Sequence, residues 1–260
     1  MTEPIFRKST QGQRLVAHRG YPAVMPGNTM IGFEAALQAG AKYVELDVQL
    51  TADSVPVLYH DADTLRMSGV AGSLLQRPSE ELNSLRASHP ARFGERYKDN
   101  PIATLAEIYD LMITWTAATF FIEVKRASLR HFGREVVIDA IIDVVGLLLD
   151  RAIIISFDDL AIEYARSAHG AAIGWVLPAW DHNNETRAKI LSPEYLFCDK
   201  EDLPKDDLNI WRGPWQWAVY VVNDPATALG LFQRGIDLVE TDCIVDMLRD
   251  PVMNERTSHG

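Results

Sequence analysis

Strand-like and helix-like segments alternate along most of this chain, and that alternation limits its possible folds more than any other feature. Short apolar segments typical of buried strands occupy residues 14–18, 43–50, 120–125, 152–157, 171–177, 195–198, 217–222 and 238–241. Segments with a helical spacing of apolar residues lie between most of them, at residues 30–39, 104–116, 131–150, 158–168, 185–191 and 226–234. Strands joined by helices pair in parallel through right-handed crossovers. The pattern therefore predicts a (β/α)8 (TIM) barrel, an α/β fold whose active sites lie at the carboxyl ends of the strands.

A doubly wound open sheet is the alternative arrangement of the same elements. The first predicted strand is not followed by the glycine-rich GxGxxG pattern, which disfavours a dinucleotide-binding sheet. The chain has 260 residues, of which 47% are hydrophobic, and no long linker rich in Pro, Gly or Ser divides it. These features predict one barrel domain over residues 1–260.

One segment interrupts the alternation. Residues 60–101 separate the second predicted strand from its helix, whereas such loops usually have about two to six residues. An insertion on the active face of a barrel is usually a lid or a binding loop, and we favour that interpretation over a surface segment without a function.

The charge of the chain and the distribution of its apolar residues indicate which partners and which location to expect. A net charge of −11 argues against a non-specific nucleic-acid binder, which normally carries a basic surface. Residues 1–14 lack the apolar core of a secretion signal, and the chain has no uncharged apolar run of 18 residues. We therefore expect a cytoplasmic protein without an integral membrane segment, while the oligomeric state stays open.

Two histidines follow predicted strands with charged residues beside them. His18 ends the first strand next to Arg19, and His60, followed by Asp61, ends a short extended segment over residues 55–60. Arginine stays charged at any working pH and grips anionic oxygens, whereas histidine titrates near neutrality. Two imidazoles facing one another across a phosphate can act as general base and general acid. A single histidine would more often be structural, but the pair favours catalysis on a phosphate ester.

Carboxylates alternate with apolar residues on two strands. Glu45 and Asp47 lie two residues apart and therefore share a face, and Glu123 and Lys125 repeat that spacing on the neighbouring strand. Burying three carboxylates together without a cation would be very costly. Oxygen ligands of this kind suit Mg²⁺, Ca²⁺ or Mn²⁺ rather than zinc, so we predict a divalent metal site. The alternative, a solvated polar face, fails if both faces of the sheet are covered.

The order of these motifs resembles the signature of the glycerophosphodiester phosphodiesterases. The similarity rests on His18-Arg19-Gly20, Pro26-x-Asn28-Thr29, Glu45-x-Asp47, His60-Asp61, Glu123-x-Lys125, Ser156-Phe157, Val222-Asn223, Gly235-x-Asp237 and Thr241-Asp242. It implies a (β/α)8 barrel with an insertion after the second strand. It also implies hydrolysis of a small-molecule glycerophosphodiester to sn-glycerol 3-phosphate and an alcohol such as choline or ethanolamine.

The resemblance implies a role for each matching residue. His18 and His60 would be the acid/base pair, and Arg19 and Lys125 would bind the phosphate. The metal ligands would be Glu45, Asp47 and Glu123. Tyr220 stands where a tryptophan often ends the seventh strand and would line the substrate wall.

A second departure from the family pattern is Gly27, which stands where a glutamate is usual and puts the support of the first loop in doubt. Two alternative functions stay open. One is a lysophospholipase D-type enzyme acting on monoacyl lipids with the same residues, and the other is an inactive barrel that only binds a phosphate ester.

Overall fold

The computed structural model describes residues 10–206 and 209–254. The first nine residues, and with them most of the segment inspected for a secretion signal, lie outside this description. The described strands are β1 Leu15–His18, β2 Tyr43–Leu50, β3 Pro56–Leu58, β4 Thr119–Val124, β5 Ala152–Ser156, β6 Ile173–Val176, β7 Tyr195–Asp199, β8 Gln216–Tyr220 and β9 Leu238–Thr241.

Eight of these strands form a closed parallel barrel. Their order around it is β1-β9-β8-β7-β6-β5-β4-β2, and the β1–β2 pairing closes the ring. The ninth strand, β3, pairs antiparallel with β2 and stands outside the parallel set. The predicted (β/α)8 barrel is therefore confirmed, and the doubly wound open sheet is excluded because an open sheet would leave two unpaired edges.

Helices connect most of the barrel strands. They are α1 Met30–Gln38, α2 Leu65–Ser68, α3 Pro90–Phe93, α4 Leu105–Thr114, α5 Arg126–Phe132, α6 Arg134–Val145, α7 Asp159–His169, α8 His182–Leu191, α9 Pro225–Gln233 and α10 Ile244–Arg249. The prediction of one helix over residues 131–150 was wrong. Gly133 has a φ of 92°, outside helical geometry, and separates α5 from α6. A glycine adopts this conformation without steric cost, so the chain can turn there.

Side chains on the barrel strands alternate between two environments. Val44, Leu46 and Val48 of β2 belong to the large core between the barrel and the helices. Inside the barrel, a smaller apolar cluster contains Val16, Phe121, Ile153, Ile155, Val176, Phe197, Ala218 and Leu238. Successive strand residues point to opposite faces, so Glu45 and Asp47 are directed into the barrel interior.

The insertion after β2 has an apolar core of its own. It contains Val57, Tyr59, Met67, Leu74, Leu82, Leu85, Ala87 and Ile102, all buried. α2 and α3 belong to the insertion, residues Ser79–Ser84 form a 3-10 helix within it, and β3 lies just before it. The insertion is therefore a packed unit seated beside β2 rather than a long irregular loop. None of the described helices is long and apolar enough to cross a membrane.

Candidate active site

His18, at the carboxyl end of β1, is held by a carboxylate from the other end of the chain. Its Nδ1 lies 2.7 Å from Asp242 Oδ1, and Asp242 directly follows β9, which pairs with β1. Asn223 Oδ1 accepts hydrogen bonds from the Asp242 backbone N–H and the Thr241 hydroxyl, which fixes this turn. Burial lowers the pKa of His18, although the hydrogen bond to Asp242 opposes the shift. The neutral imidazole, with Nδ1 engaged by Asp242, leaves Nε2 available for proton transfer.

His60 is arranged in the same way on the insertion. Its Nδ1 lies 2.5 Å from Asp61 Oδ1, and Arg66 Nε donates to Asp61 Oδ2 at 2.6 Å. The Gln49 side chain donates to the His60 carbonyl at 3.0 Å and ties this residue to β2. Burial lowers the pKa of His60 as well. Both predicted histidines are thus oriented by a carboxylate at Nδ1.

The predicted ligand carboxylates meet inside the barrel. Parallel pairing of β2 with β4 sets Asp47 beside Glu123, and Glu45 lies beside His18 across the β1–β2 pairing. One ligand oxygen from each of Glu45, Asp47 and Glu123 can be chosen so that all three lie within 4.8 Å of one another. Burial and the nearby carboxylates raise the pKa of Glu45 well above its ordinary value.

Two cations are paired with this cluster. Lys125 Nζ lies 2.7 Å from Glu123 Oε1 and 3.0 Å from Asp47 Oδ1. Arg19 Nε lies 2.8 Å from Asp47 Oδ2, as an ion pair rather than an aligned hydrogen bond. Burial opposes the ionisation of Asp47, but Arg19 and Lys125 hold its pKa well below the usual range. Asp47 is therefore ionised, and both cations lie beside the carboxylates that could receive a metal.

The cluster fits a divalent ion. Glu45 is 1% exposed, and its Oε1 has no hydrogen-bond partner among the described residues. Such a buried and unpaired oxygen is costly unless a cation or a proton satisfies it. Three carboxylates supply the hard oxygen donors that Mg²⁺, Ca²⁺ or Mn²⁺ prefer. The residues that could hold the ion are Glu45, Asp47 and Glu123.

The first loop is held firmly although Gly27 stands in it. The Asn28 side-chain amide donates to Asp47 Oδ2 at 2.8 Å, and its oxygen accepts from the Asp47 backbone N–H at 3.1 Å. The Thr29 hydroxyl donates to the Pro26 carbonyl at 2.7 Å. A Cβ at Gly27 would lie 3.3 Å from Arg19 Cβ, so the glycine leaves room for the arginine side chain. Asn28 thus connects the loop directly to the acidic cluster.

Two cavities meet at His18, Arg19 and His60. The outer one, of about 150 Å³, is bounded partly by Tyr59 and by the insertion, which contributes Arg66, Met67, Ala87, His89 and Arg92. The inner one, of about 180 Å³, is lined by Glu123, Lys125, Ile155, Phe157, Val176, Phe197, Tyr220 and Glu240 besides the three shared residues. The predicted wall residue Tyr220, at the end of the seventh barrel strand β8, lines the inner cavity. If a phosphodiester bound with its phosphate at Arg19, each of its two ester groups could occupy one of the cavities.

Sequence reasoning missed two features of this site. The contact between His18 and Asp242 joins residues 224 positions apart, and no local spacing reveals it. Glu240 is absent from the predicted site, yet it lines the inner cavity, and its spacing of two residues from the inward-facing Leu238 on β9 could have placed it inside the barrel.

Comparison with known proteins gives one family and many similar structures. The sequence model of the glycerophosphoryl diester phosphodiesterase family matches residues 18–192, more than half of the chain. A glycerophosphodiester phosphodiesterase of Bacillus altitudinis is 37% identical over 122 residues, which are 47% of this chain and 49% of that protein. Human glycerophosphodiester phosphodiesterase 1 is 32% identical over 106 residues, which are 41% of this chain and 32% of that protein. The chain thus spans about half the length, or less, of these curated relatives.

Solved structures support the fold over nearly the whole chain. A phosphodiesterase of Oleispira antarctica, solved in complex with the product sn-glycerol-3-phosphate, superposes with a TM-score of 0.77 at 24% identity. The match covers 90% of this chain and 94% of that one. A glycerophosphodiester phosphodiesterase of Thermotoga maritima gives a TM-score of 0.70 at 23% identity, covering 91% and 97%.

Proposed function

The chain belongs to the glycerophosphoryl diester phosphodiesterase family, and from this premise we propose that it is a phosphoric diester hydrolase. Its substrates would be glycerophosphodiesters, and its products sn-glycerol 3-phosphate and an alcohol. The Oleispira antarctica phosphodiesterase was solved with that same product, which supports the assignment. We further propose that residues 1–260 act as one barrel domain. The cytoplasmic location stays a prediction.

The proposal rests on one observation: two histidines, each held by a carboxylate, lie beside an arginine that is always charged. His18, His60 and Arg19 line both cavities, so the phosphate of a bound diester would be within reach of all three. Arg19 can grip two phosphate oxygens through its guanidinium, and Lys125 would offset the remaining negative charge. The two cations would hold the phosphate while leaving both histidines free to exchange protons.

We assign the proton transfers to the two imidazoles. One histidine would take the proton from the attacking oxygen, either of water or of the glycerol 2-hydroxyl through a cyclic phosphate. The other would donate a proton to the oxygen of the departing alcohol. Burial keeps the pKa of both histidines low, which favours the neutral form that a general base needs. The histidine that acts as the acid must gain its proton once the anionic diester is bound, since a nearby negative charge raises the pKa of an imidazole.

Glu45, Asp47 and Glu123 would hold a divalent ion beside the phosphate. Such an ion, when bound, stabilises the negative charge that develops on phosphate oxygens during displacement. Its identity, Mg²⁺, Ca²⁺ or Mn²⁺, is to be settled by measurement. Within the chain, Asn28 keeps Asp47 in position for this role through two hydrogen bonds.

The test is release of glycerol 3-phosphate from glycerophosphocholine with added Mg²⁺, Ca²⁺ or Mn²⁺, repeated after chelation. We expect release that depends on the ion. Choline release from lysophosphatidylcholine alone would instead indicate a lysophospholipase D-type enzyme. Tight binding of glycerol phosphate without turnover of any diester, in a correctly folded protein, would contradict the proposal and leave a phosphate-ester-binding barrel.

A further inference from the structure

Arg126 and Arg130 are two cations of α5 that no described carboxylate neutralises. They lie four residues apart on the helix, a spacing that brings their side chains to the same face. Across residues 10–206 and 209–254, no ion pair within 4.0 Å includes either of them. Like charges at this spacing destabilise a helix, and the chain has 36 acidic residues against 25 basic ones. Two neighbouring arginines left unpaired in so acidic a chain therefore indicate a role in binding an anion.

The two arginines line a cavity that continues from the active site. This α5 cavity has a volume of about 340 Å³ and shares His60, Glu123, Lys125 and Phe157 with the inner cavity. Among its described lining residues only Glu123 is acidic, and Lys125 Nζ pairs with that carboxylate at 2.7 Å. A divalent ion bound beside Glu123 would add to the positive charge. A group that extends from the inner cavity past Phe157 therefore enters a cationic space.

Phe157 holds the nearer arginine without neutralising it. The guanidinium carbon of Arg126 lies over the Phe157 ring, 4.7 Å from its centroid, which is a cation–aromatic contact. The ring orients the guanidinium but contributes no negative charge, so the attraction of Arg126 for an anion persists. Because Phe157 lines both cavities, the oriented cation stands where the inner cavity meets the α5 cavity.

We propose that the α5 cavity is a subsite for a second phosphate, carried at the end of the alcohol arm of the diester. The inference rests on the proposed function and names a class of substrate for the same site. A phosphate monoester carries a charge of about −1.5 to −2 at pH 7 and three acceptor oxygens, which suit two guanidinium groups. A carboxylate, with a single charge, would leave one arginine uncompensated, and a neutral arm would leave both. Arg126 and Arg130 would thus determine specificity without taking part in the chemical step.

The decisive comparison uses two diesters of sn-glycerol 3-phosphate that differ only in the second phosphate. One has butane-1,4-diol as its alcohol arm, and the other has 4-hydroxybutyl phosphate, whose flexible chain can extend between the two cavities. At a fixed free concentration of the activating ion, we expect kcat/KM for release of glycerol 3-phosphate to favour the phosphorylated arm by about ten-fold or more, the order of one hydrogen bond to a charged group. This preference should fall in Arg126→Gln and in Arg130→Gln, and should approach unity in the double variant.

Two other arginines provide the controls. Arg249 is exposed on α10 and lines none of the three cavities, so Arg249→Gln removes an equal charge and should keep the preference. Arg92 lines the outer cavity, and Arg92→Gln should keep the preference as well. A preference that is lost in Arg92→Gln but kept in the double variant would place the second phosphate in the outer cavity and overturn the proposal. Thermal unfolding of every variant checks that the fold is retained.

Binding of butane-1,4-diol bisphosphate, measured by titration calorimetry, separates this inference from the proposed function. At low ionic strength, where exposed charges are least screened, we expect wild type to bind it about ten-fold or more tightly than the double variant. If neither diester is cleaved, the proposed function fails, and the calorimetric difference alone supports or overturns the subsite. If the diesters are cleaved, the subsite is overturned when wild type shows no preference for the phosphorylated arm, or when the double variant retains that preference.

Discussion

Substitution of Asp242 by asparagine tests how His18 is held. The Asp242 carboxylate lies 2.7 Å from Nδ1 and fixes which nitrogen of the ring carries the proton. Asparagine has a similar shape but no charge, and its amide can donate to Nδ1 and thereby favour the wrong tautomer. A hydrogen bond to a charged group contributes about 1.5–3 kcal/mol, equivalent to roughly ten- to a hundred-fold in rate. Because the side chain of Asp242 is 35% exposed, water screens part of this effect, and we expect a decrease in kcat of about ten- to thirty-fold.

The pH profile gives a second measure of the same contact. Asp242 raises the pKa of His18 against the lowering effect of burial, so its removal should lower that pKa further. The limb of the kcat/KM profile that His18 controls should therefore move to lower pH, whether His18 acts as the base or the acid. Asp246→Asn is the control, since that carboxylate accepts a hydrogen bond from Tyr21 rather than from a histidine. A kcat within two-fold of wild type and an unmoved limb in Asp242→Asn would refute the argument.

Three further perturbations test the site. His18→Ala or His60→Ala should lower kcat by roughly 10²-fold or more with unchanged thermal unfolding, and near-normal turnover would remove that histidine from the mechanism. Glu45→Gln should raise the divalent-ion concentration that gives half-maximal activity. A metal titration identical to that of wild type would contradict the assignment of Glu45 as a ligand. Since burial raises the pKa of Glu45, the metal-free protein should lose stability as pH rises above the ordinary carboxylate range. Melting curves should show less of this loss in Glu45→Gln. Gly174→Ala would place a Cβ 3.0 Å from Cε2 of Phe197, which lines the inner cavity. Denaturant unfolding should therefore show a free energy of unfolding lower by about 1–3 kcal/mol, and activity assays should show a raised KM. Wild-type values of both would show that the wall of the inner cavity accommodates the added methyl group.

Sequence reasoning predicted the barrel because its signals are local. Buried parallel strands are short and apolar, and the residues between them have helical spacing, so each element could be recognised alone. The pair Glu45 and Asp47 was equally local, since a spacing of two residues on a strand defines one face. Strand pairing between β2 and β4 then brought Glu123 to Asp47, as the parallel arrangement required.

Contacts between distant segments could not be predicted in this way. The approach of Asp242 to His18 depends on β9 lying beside β1, which only closure of the barrel produces. The Asn28 bridge to Asp47 depends on the path of a loop in which Asn28 has a φ of 60°. The break at Gly133 shows the opposite failure, because the helical spacing continues across a residue whose backbone departs from the helix.

The position of His60 makes the fraction of molecules with a complete site depend on the insertion. His60 follows β3, which is not a barrel strand, and the residues after it form a unit with its own apolar core. Such units can open locally at a free-energy cost below that of global unfolding. A molecule whose insertion has opened would keep an intact barrel with His18, Arg19 and the acidic cluster in place, but would lack its second imidazole. Activity would then fall on warming before the barrel melts, and hydrogen exchange would report that opening in the amides of residues 60–101 ahead of those in β4 to β9.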